Sequence, residues 1–123
     1  MPETWQDLAR DSRKAASELV RADRFRAGAS RAYYAAYSIV THEFNRLGLP
    51  MPRGREGPSH NKLRSLILAN MNRLQRKDRE ALASIVGRLY TLRVQSDYCP
   101  SAVVDARDAH EAISLMNRVF EAF

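Results

Sequence analysis

The most informative stretch of the chain is FRAGASRAYYAAYSIVTHEFNRL, residues 25–47. Its larger side chains recur every three or four residues and show no period-two alternation, which predicts one long α-helix. This stripe consists of Ser30, Tyr33, Tyr37, Val40, Phe44 and Leu47. Beside it lies a face of small residues, namely Gly28, Ala29, Ala32, Ala35 and Ala36. Because small side chains leave room, we expect a neighbouring helix to approach this face closely.

Helical periodicity continues on both sides of this segment. Upstream, Thr4 and Asp7 form the pattern of a capping box at the start of a first helix. The apolar stripe of that helix is Trp5, Leu8, Ala15, Leu19 and Ala22. Downstream, Gly48 and Pro50 are expected to end the second helix. Residues 48–58, with three Pro and three Gly, form the one evident loop.

Three more helices follow the loop. Ser59 is placed to cap a third helix, and the polar residues 70–77 are typical of a connection. A fourth helix begins near Asp78 and breaks at Cys99–Pro100, after which Ser101 is placed to cap a fifth. The inward residues are predicted to be Leu63, Leu66, Ile67 and Met71, then Leu82, Ile85, Val86, Leu89 and Leu92, and finally Val103, Ala106, Ile113, Met116 and Phe120.

Five amphipathic helices with short connections predict an all-α, antiparallel up-and-down helical bundle of about five helices. The chain has 123 residues, of which 45% are hydrophobic and 28% charged. This length and composition are typical of one globular domain with its own core, covering residues 1–123.

The charge is basic, with 20 Lys and Arg against 14 Asp and Glu and a formal net charge of +6. Nearly all the basic residues are Arg, whose guanidinium suits phosphate, although an Arg-favouring codon bias would give the same excess. The single Cys99 excludes an internal disulfide and any multi-cysteine zinc site. There is no apolar run of bilayer length and no secretory signal pattern, so we expect a cytoplasmic protein without membrane contact.

Arg93 is the most conspicuous candidate for a functional side chain. It follows Leu89 by four residues and Val86 by seven, so it continues the apolar stripe of the fourth helix. A charged side chain on an inward face must be paired or must line a cleft. Asp97, one turn later, offers a structural partner, although base before acid is the weaker order for such a pair.

The tyrosines and histidines leave alternatives open. Tyr33 and Tyr37 are most simply core aromatics with tethered hydroxyls. His60 opens the third helix, where the helix N-terminus favours the neutral, base-competent imidazole, but a solvated first-turn histidine is the simpler interpretation. His42 and His110 have positions typical of surface or packing roles. No metal-ligand spacing and no glycine-rich phosphate loop is present, so we expect no metal and no cofactor.

Taken together, three motifs resemble the HEPN domain. They are SRAYYAAY at 30–37, the lone His60 after the loop, and LRVQSDYCP at 92–100. Small stand-alone prokaryotic members of that family typically read S-R-A-Y-Y-A-x-[FY], then a loop ending in His, then L-R-x-x-A-D-Y-x-P. The resemblance spans nearly the whole chain, with the motifs in the same order.

The resemblance implies a helical bundle that is usually dimeric. Many members are metal-independent endoribonucleases with an R-x4–6-H motif near the end of the fourth helix, and many are toxins paired with a small nucleotidyltransferase antitoxin. Others bind RNA or nucleotides without catalysis. The arginine of that motif maps onto Arg93, but Tyr98 stands where the histidine is expected, and a phenol is a poor general base at neutral pH. Whether the chain is an enzyme therefore stays open.

Two hypotheses follow. In the first, the chain acts on RNA: two arginines bind the scissile phosphate, His60 or Tyr98 assists attack by the 2′-hydroxyl, and a homodimer brings two such sets to one groove. In the second, the same residues form a catalytically silent network that binds RNA, a nucleotide or a nucleotidyltransferase partner. A plain scaffold would leave the inward arginine unexplained. The candidate residues are Arg93, Asp97, Tyr98 and His60 for catalysis, and Arg31, Tyr34 and Arg93 for RNA phosphate binding.

Overall fold

The computed structural model describes residues 3–123, and every regular element among them is helical. The helices are α1 (Trp5–Arg21), α2 (Phe25–Arg46), α3 (Leu63–Asn70), α4 (Arg76–Tyr98) and α5 (Ala106–Glu121), with a 3-10 turn at His60–Lys62 leading into α3. α2 packs against α1, α4 and α5, while α3 packs against α4. The predicted all-α helical bundle is confirmed. No helix within residues 3–123 combines the length and hydropathy that crossing a bilayer requires.

The small-residue face of α2 does receive a neighbouring helix closely. Gly28 lies against α1, where an added Cβ would be 2.5 Å from Cγ2 of Val20 and 3.5 Å from the carbonyl oxygen of Ala16. The other faces of α2 are also largely buried, and Tyr33, Val40 and Phe44 are completely so. α2 is therefore the central helix around which the others assemble.

The predicted stripe of α1 is wrong in phase. The buried residues of α1 are Ala9, Ser12, Ala16 and Val20. Leu8, which was expected in the core, is 37% exposed. The reason is the close approach of the two helices: only small side chains fit at the centre of the contact, and the larger ones lie at its edges. Leu47, the last residue of the predicted α2 stripe, is also exposed.

Helix starts were predicted with mixed success. The capping box of α1 is present, with the Asp7 amide donating to Thr4 Oγ1 at 3.1 Å and the Thr4 amide donating to Asp7 Oδ2 at 3.0 Å. Ser59 makes no side-chain cap hydrogen bond and precedes the 3-10 turn. The segment after the loop therefore begins with an uncapped 3-10 turn and not with the capped helix that was expected.

The start of α5 was also predicted wrongly. The N-cap is Asp105, which forms a capping box with Asp108, and Ser101 lies in the preceding connection. Val103 was expected to point inward but is 79% exposed, because it lies in that connection. Ala106, in the first turn of the helix, is likewise exposed. An aspartate at the N-cap supplies the same hydrogen bond as a serine, so pattern alone did not separate the two.

The loop between α2 and the 3-10 turn folds back onto α2. Gly48 ends α2 with a φ of +76°, as expected for the residue after a helix C-cap. Gly57 and Pro58 are buried, and the Tyr37 hydroxyl donates to the carbonyl oxygen of Pro58 at 2.7 Å. A Cβ at Gly57 would collide with the Tyr37 hydroxyl and lie 3.2 Å from Trp5 Cζ2. This close contact fixes the chain directly before His60.

Candidate functional site

A guanidinium from α2 holds the C-terminal turn of α4. The last carbonyls of a helix have no intrahelical donor and need partners from elsewhere. Arg26 donates here through Nη1 and Nη2 to the carbonyl oxygens of Gln95 and Ser96 in α4 and of Cys99, Pro100 and Ala102 just beyond it, of which Gln95 and Cys99 also accept from backbone amides. This contact positions the turn that carries Asp97 and Tyr98.

Arg93 lies one turn before that end and is only 13% exposed in its side chain. Its Nη2 donates to the hydroxyl of Tyr34 at 2.7 Å and to that of Tyr98 at 3.3 Å. Its guanidinium carbon is 5.3 Å from the ring centroid of Tyr34 and 5.0 Å from that of Tyr98, within cation–π range. Arg93 is therefore held by two phenols rather than by a carboxylate alone.

Asp97 forms the ion pair that its spacing from Arg93 suggests, but incompletely. Oδ2 of Asp97 is 3.2 Å from Nε of Arg93, yet the angle does not allow a hydrogen bond, and Nε stays buried without a partner among residues 3–123. The same Oδ2 accepts a hydrogen bond from Ser30 Oγ at 2.9 Å. Asp97 thus links α4 to α2 and leaves part of the Arg93 hydrogen-bonding capacity unused.

Arg31 brings a second positive charge to the same place. Its guanidinium carbon is 4.8 Å from the ring centroid of Tyr34, so Arg31 and Arg93 both contact one tyrosine ring. Against these two cations Asp97 contributes one carboxylate. The cluster, defined as Arg31, Tyr34, Arg93, Asp97 and Tyr98 and called the arginine–tyrosine cluster below, therefore keeps one positive charge in surplus.

His60 adjoins this cluster and is anchored in the core. Its ring centroid is 6.1 Å from that of Tyr34, and its Nδ1 is 2.5 Å from the hydroxyl of Tyr33. Burial, followed by the positive charges of Arg93 and Arg55, lowers the pKa of His60. The imidazole is thereby kept neutral at physiological pH, and the cause is burial and neighbouring charge rather than the helix N-terminus considered from the sequence.

The Tyr33 contact decides which nitrogen of His60 carries the proton. Burial above all raises the pKa of Tyr33, so its hydroxyl stays protonated, and within residues 3–123 it has no partner other than His60. Donation from Tyr33 to Nδ1 satisfies both groups and places the ring proton on Nε2. The other tautomer would leave a buried hydroxyl hydrogen unpaired, at a cost of about 1–3 kcal/mol. The geometry thus favours Nε2–H, which is a donor and not a base.

Arg93 keeps its positive charge in the folded protein. Desolvation alone would lower its pKa, but the oxygens of Tyr34, Tyr98 and Asp97 outweigh this effect and the pKa is raised. A permanently charged guanidinium is suited to binding an anion. Nothing comparable to a metal site accompanies it, since no group of three His, Cys, Asp or Glu ligands occurs between residues 3 and 123.

The structure brings the predicted site residues together, with His60 beside them and Tyr98 at the rim, where it is 66% exposed.

Two further residues of the site were not predicted from the sequence, namely Tyr90 and Arg26. Tyr90 stacks on His60 with an interplanar angle of 16° and centroids 6.1 Å apart. It lies three residues before Arg93, so a shared helix face was the available signal. Arg26 had no such signal, because its acceptors lie 69 to 76 positions away.

Comparison with known proteins gives one match. A family model described as the HEPN domain matches residues 2–123, essentially the whole chain. No curated protein and no solved structure matches at a significant level.

Proposed function

Because the chain belongs to the HEPN domain family, which supports a nucleotide- or RNA-related function, we propose that it is an RNA-binding protein that engages a backbone phosphate at Arg93 and Arg31. The observation that carries the proposal is the sharing of the Tyr34 ring by these two guanidiniums, with a single carboxylate, Asp97, nearby. A surplus positive charge on a preformed platform favours an anion such as phosphate.

The remaining groups of the cluster suit single-stranded RNA. Tyr98 exposes most of its ring, on which an unstacked base can lie, and base–aromatic stacking tolerates any sequence. His60 with its proton on Nε2 is a neutral hydrogen-bond donor for a phosphate or 2′-hydroxyl oxygen. The net charge of +6 adds long-range attraction for the RNA backbone.

The experiment is an anisotropy titration of a labelled, mixed-sequence single-stranded RNA at two salt concentrations. Arg93→Ala and Arg31→Ala are each expected to weaken binding about tenfold, the loss typical of one strong phosphate contact. Arg24→Ala, which removes the same charge from an exposed position, serves as the matched control. Equal affinity of all four proteins would contradict the proposal, as would binding that is insensitive to salt.

Metal-independent RNA cleavage is the second candidate function, supported by the neutral His60 beside a charged arginine. It requires the less favourable tautomer, with Nδ1–H donating to Tyr33 and Nε2 acting as the base. Cleavage of the same RNA in EDTA by wild type, abolished by His60→Ala and Arg93→Ala but not by His110→Ala, would establish it. If the RNA stays intact at a large excess of protein, the cleavage hypothesis is wrong and RNA binding without cleavage is the remaining function.

Partnership is proposed from the family alone. HEPN domains commonly dimerise, so we expect a homodimer in which two arginine–tyrosine clusters act on one RNA. A toxin–antitoxin pairing with a nucleotidyltransferase is the corresponding proposal for a protein partner. Light scattering after size exclusion tests the dimer, and co-purification with a nucleotidyltransferase encoded by a neighbouring gene tests the pair.

A further inference from the structure

A second basic cleft lies on the other side of α2. It has a volume of about 420 Å³ and is formed by α1, the C-terminal half of α2, the segment before α4 and the end of α5. Glu43 in this cleft follows Tyr34 by nine residues, which at 100° and 1.5 Å per residue is about half a turn around the helix and ~13 Å along it. The cleft is therefore separate from the arginine–tyrosine cluster.

A buried carboxylate lies among the arginines of the cleft. Glu43 is only 6% exposed, and Arg46 donates to both of its oxygens, at 3.0 and 3.3 Å. Arg73 adds a longer ion pair of 3.7 Å. A buried carboxylate requires a cation, and the two-point contact with Arg46 supplies it. The side chains of Arg46 and Arg73 remain 53% and 60% exposed, so both guanidiniums stay accessible.

The cleft holds more positive charge than Glu43 needs. Arg10 and Arg13 line it as well, and among the side chains four guanidiniums with one carboxylate leave three positive charges in surplus. Arg10 makes no hydrogen bond or ion pair within residues 3–123, and Asp7, one turn before it, is engaged with Thr4. Like charges converging from α1, α2 and the segment before α4 repel one another unless an anion lies between them.

One wall of the cleft is flat and apolar. Arg13 is fixed by donating to Oδ1 of Asn117 at 3.0 and 3.2 Å, and its guanidinium carbon is 4.4 Å from the ring centroid of Phe120. Phe123, 36% exposed, lies beside them. The cleft thus combines a group of accessible cations with an aromatic surface, within the volume range of pockets for small ligands.

We propose that this cleft binds an organic phosphate, that is, a phosphate group joined to a flat apolar body. The phosphate would lie on Arg10 and Arg73, because Arg13 and Arg46 are held by hydrogen bonds to protein groups, whereas Arg73 makes only the 3.7 Å ion pair with Glu43. The body would lie against Phe120 and Phe123. A mononucleotide and an aryl phosphate share this chemistry, and the site requires nothing from Arg93.

The test is calorimetric titration of the intact chain with inorganic phosphate, phenyl phosphate and AMP. At least one of the two organic phosphates is expected to bind about tenfold more tightly than inorganic phosphate, and Arg10→Ala and Arg73→Ala each to weaken it about tenfold. Both arginines are exposed, so neither substitution threatens folding. AMP binding more tightly than phenyl phosphate would identify a nucleoside as the body, and the reverse order an aryl group.

The control variants keep the proposal separable from RNA binding. Arg24→Ala and Arg93→Ala are expected to bind the organic phosphate like the wild type. Equal weakening by Arg24→Ala would mean general attraction by net charge, and loss in Arg93→Ala would place the ligand in the arginine–tyrosine cluster. Either result would overturn the proposal, as would equal affinity for organic and inorganic phosphate or no saturable binding.

Discussion

The Tyr33 hydroxyl lies 2.5 Å from Nδ1 of His60, where the core of α2 meets the 3-10 turn. This contact joins a completely buried phenol to a half-buried imidazole. It fixes the ring of His60 beside Tyr34 and leaves Nε2 as the nitrogen without a partner among residues 3–123. The chemistry open to His60 therefore depends on a residue that no ligand reaches.

The first prediction concerns the tautomer. Nitrogen-detected NMR at pH 7.5 is expected to show the proton of His60 on Nε2, since Tyr33 donates to Nδ1. In Tyr33→Phe this preference is expected to weaken, because Nδ1 loses its donor. His110, an exposed residue of α5, provides the reference spectrum. A proton on Nδ1 in the wild type would contradict the assignment and favour the cleavage hypothesis.

The second prediction is a pH dependence of stability. The pKa of His60 is lower in the folded protein than its usual value near 6.5, so the unfolded chain takes up the proton first as pH falls. The stabilising effect is present above pH 6.5 and is lost as pH falls towards the folded pKa. Urea unfolding at pH 7.5 and 5.0 should show a smaller loss in His60→Gln than in the wild type. His110→Gln should behave like the wild type; an unchanged pH dependence in His60→Gln would refute the claim.

The third prediction separates charge from position at Arg93. Asp97→Asn removes the carboxylate that competes with RNA phosphate but keeps an acceptor for Ser30, so RNA affinity should rise about three- to tenfold. Arg93→Ala should reduce the slope of log affinity against log salt by about 0.7, the value for one phosphate contact with a single strand. Weaker binding by Asp97→Asn would show instead that Asp97 is needed to position Arg93.

The fourth prediction concerns Arg26. Arg26→Ala leaves the partly buried carbonyls of Ser96 and Ala102 without a donor within residues 3–123, and the free energy of unfolding should fall by about 2–4 kcal/mol. RNA affinity should fall as well, because Tyr98 lies on the same turn. Arg26→Lys should recover only part of both, since an ammonium cannot span the same set of acceptors. Arg24→Ala, nearby and exposed, should change neither; stability unaffected by Arg26→Ala would refute this role.

The fifth prediction is a double-mutant cycle between Gly57 and Tyr37. Gly57→Ala should destabilise the protein by about 1–3 kcal/mol, because the new Cβ overlaps the Tyr37 hydroxyl. In a Tyr37→Phe background the same substitution should cost less, since the nearest atom is gone. Chemical denaturation of the four proteins measures the coupling. Strictly additive effects would mean that the loop shifts freely away from α2.

The sequence allowed the bundle to be predicted because amphipathic periodicity is a local signal. The capping box at Thr4 and the helix end at Gly48 are likewise determined by residues close together in the sequence. The phase of α1 was not predictable in the same way. Where helices approach as closely as at Gly28, alanines fill the contact and leucines border it, so the most hydrophobic residues do not mark the buried face.

The candidate site was predictable as a set of residues but not as a geometry. Arg93 was conspicuous because a charge interrupts an apolar stripe, and Asp97 followed from helical spacing. The Tyr33–His60 contact joins residues 27 positions apart, and the Ser30–Asp97 contact joins residues 67 apart. Which residues form such pairs depends on how the helices pack against one another. The periodicity within one segment carries no information about that packing.

The contact of Arg26 with the end of α4 has a consequence for the newly made chain. Its acceptors reach from Gln95 to Ala102, so the full set of contacts forms only after the segment beyond α4 has been synthesised and has met α2. Helices α1 and α2 are neighbours in sequence and can pair earlier. A nascent chain still lacking residue 102 would then be helical, but fewer hydrogen bonds from Arg26 would hold the end of α4. The turn that carries Tyr98 would therefore reach its final geometry later than the pairing of α1 with α2.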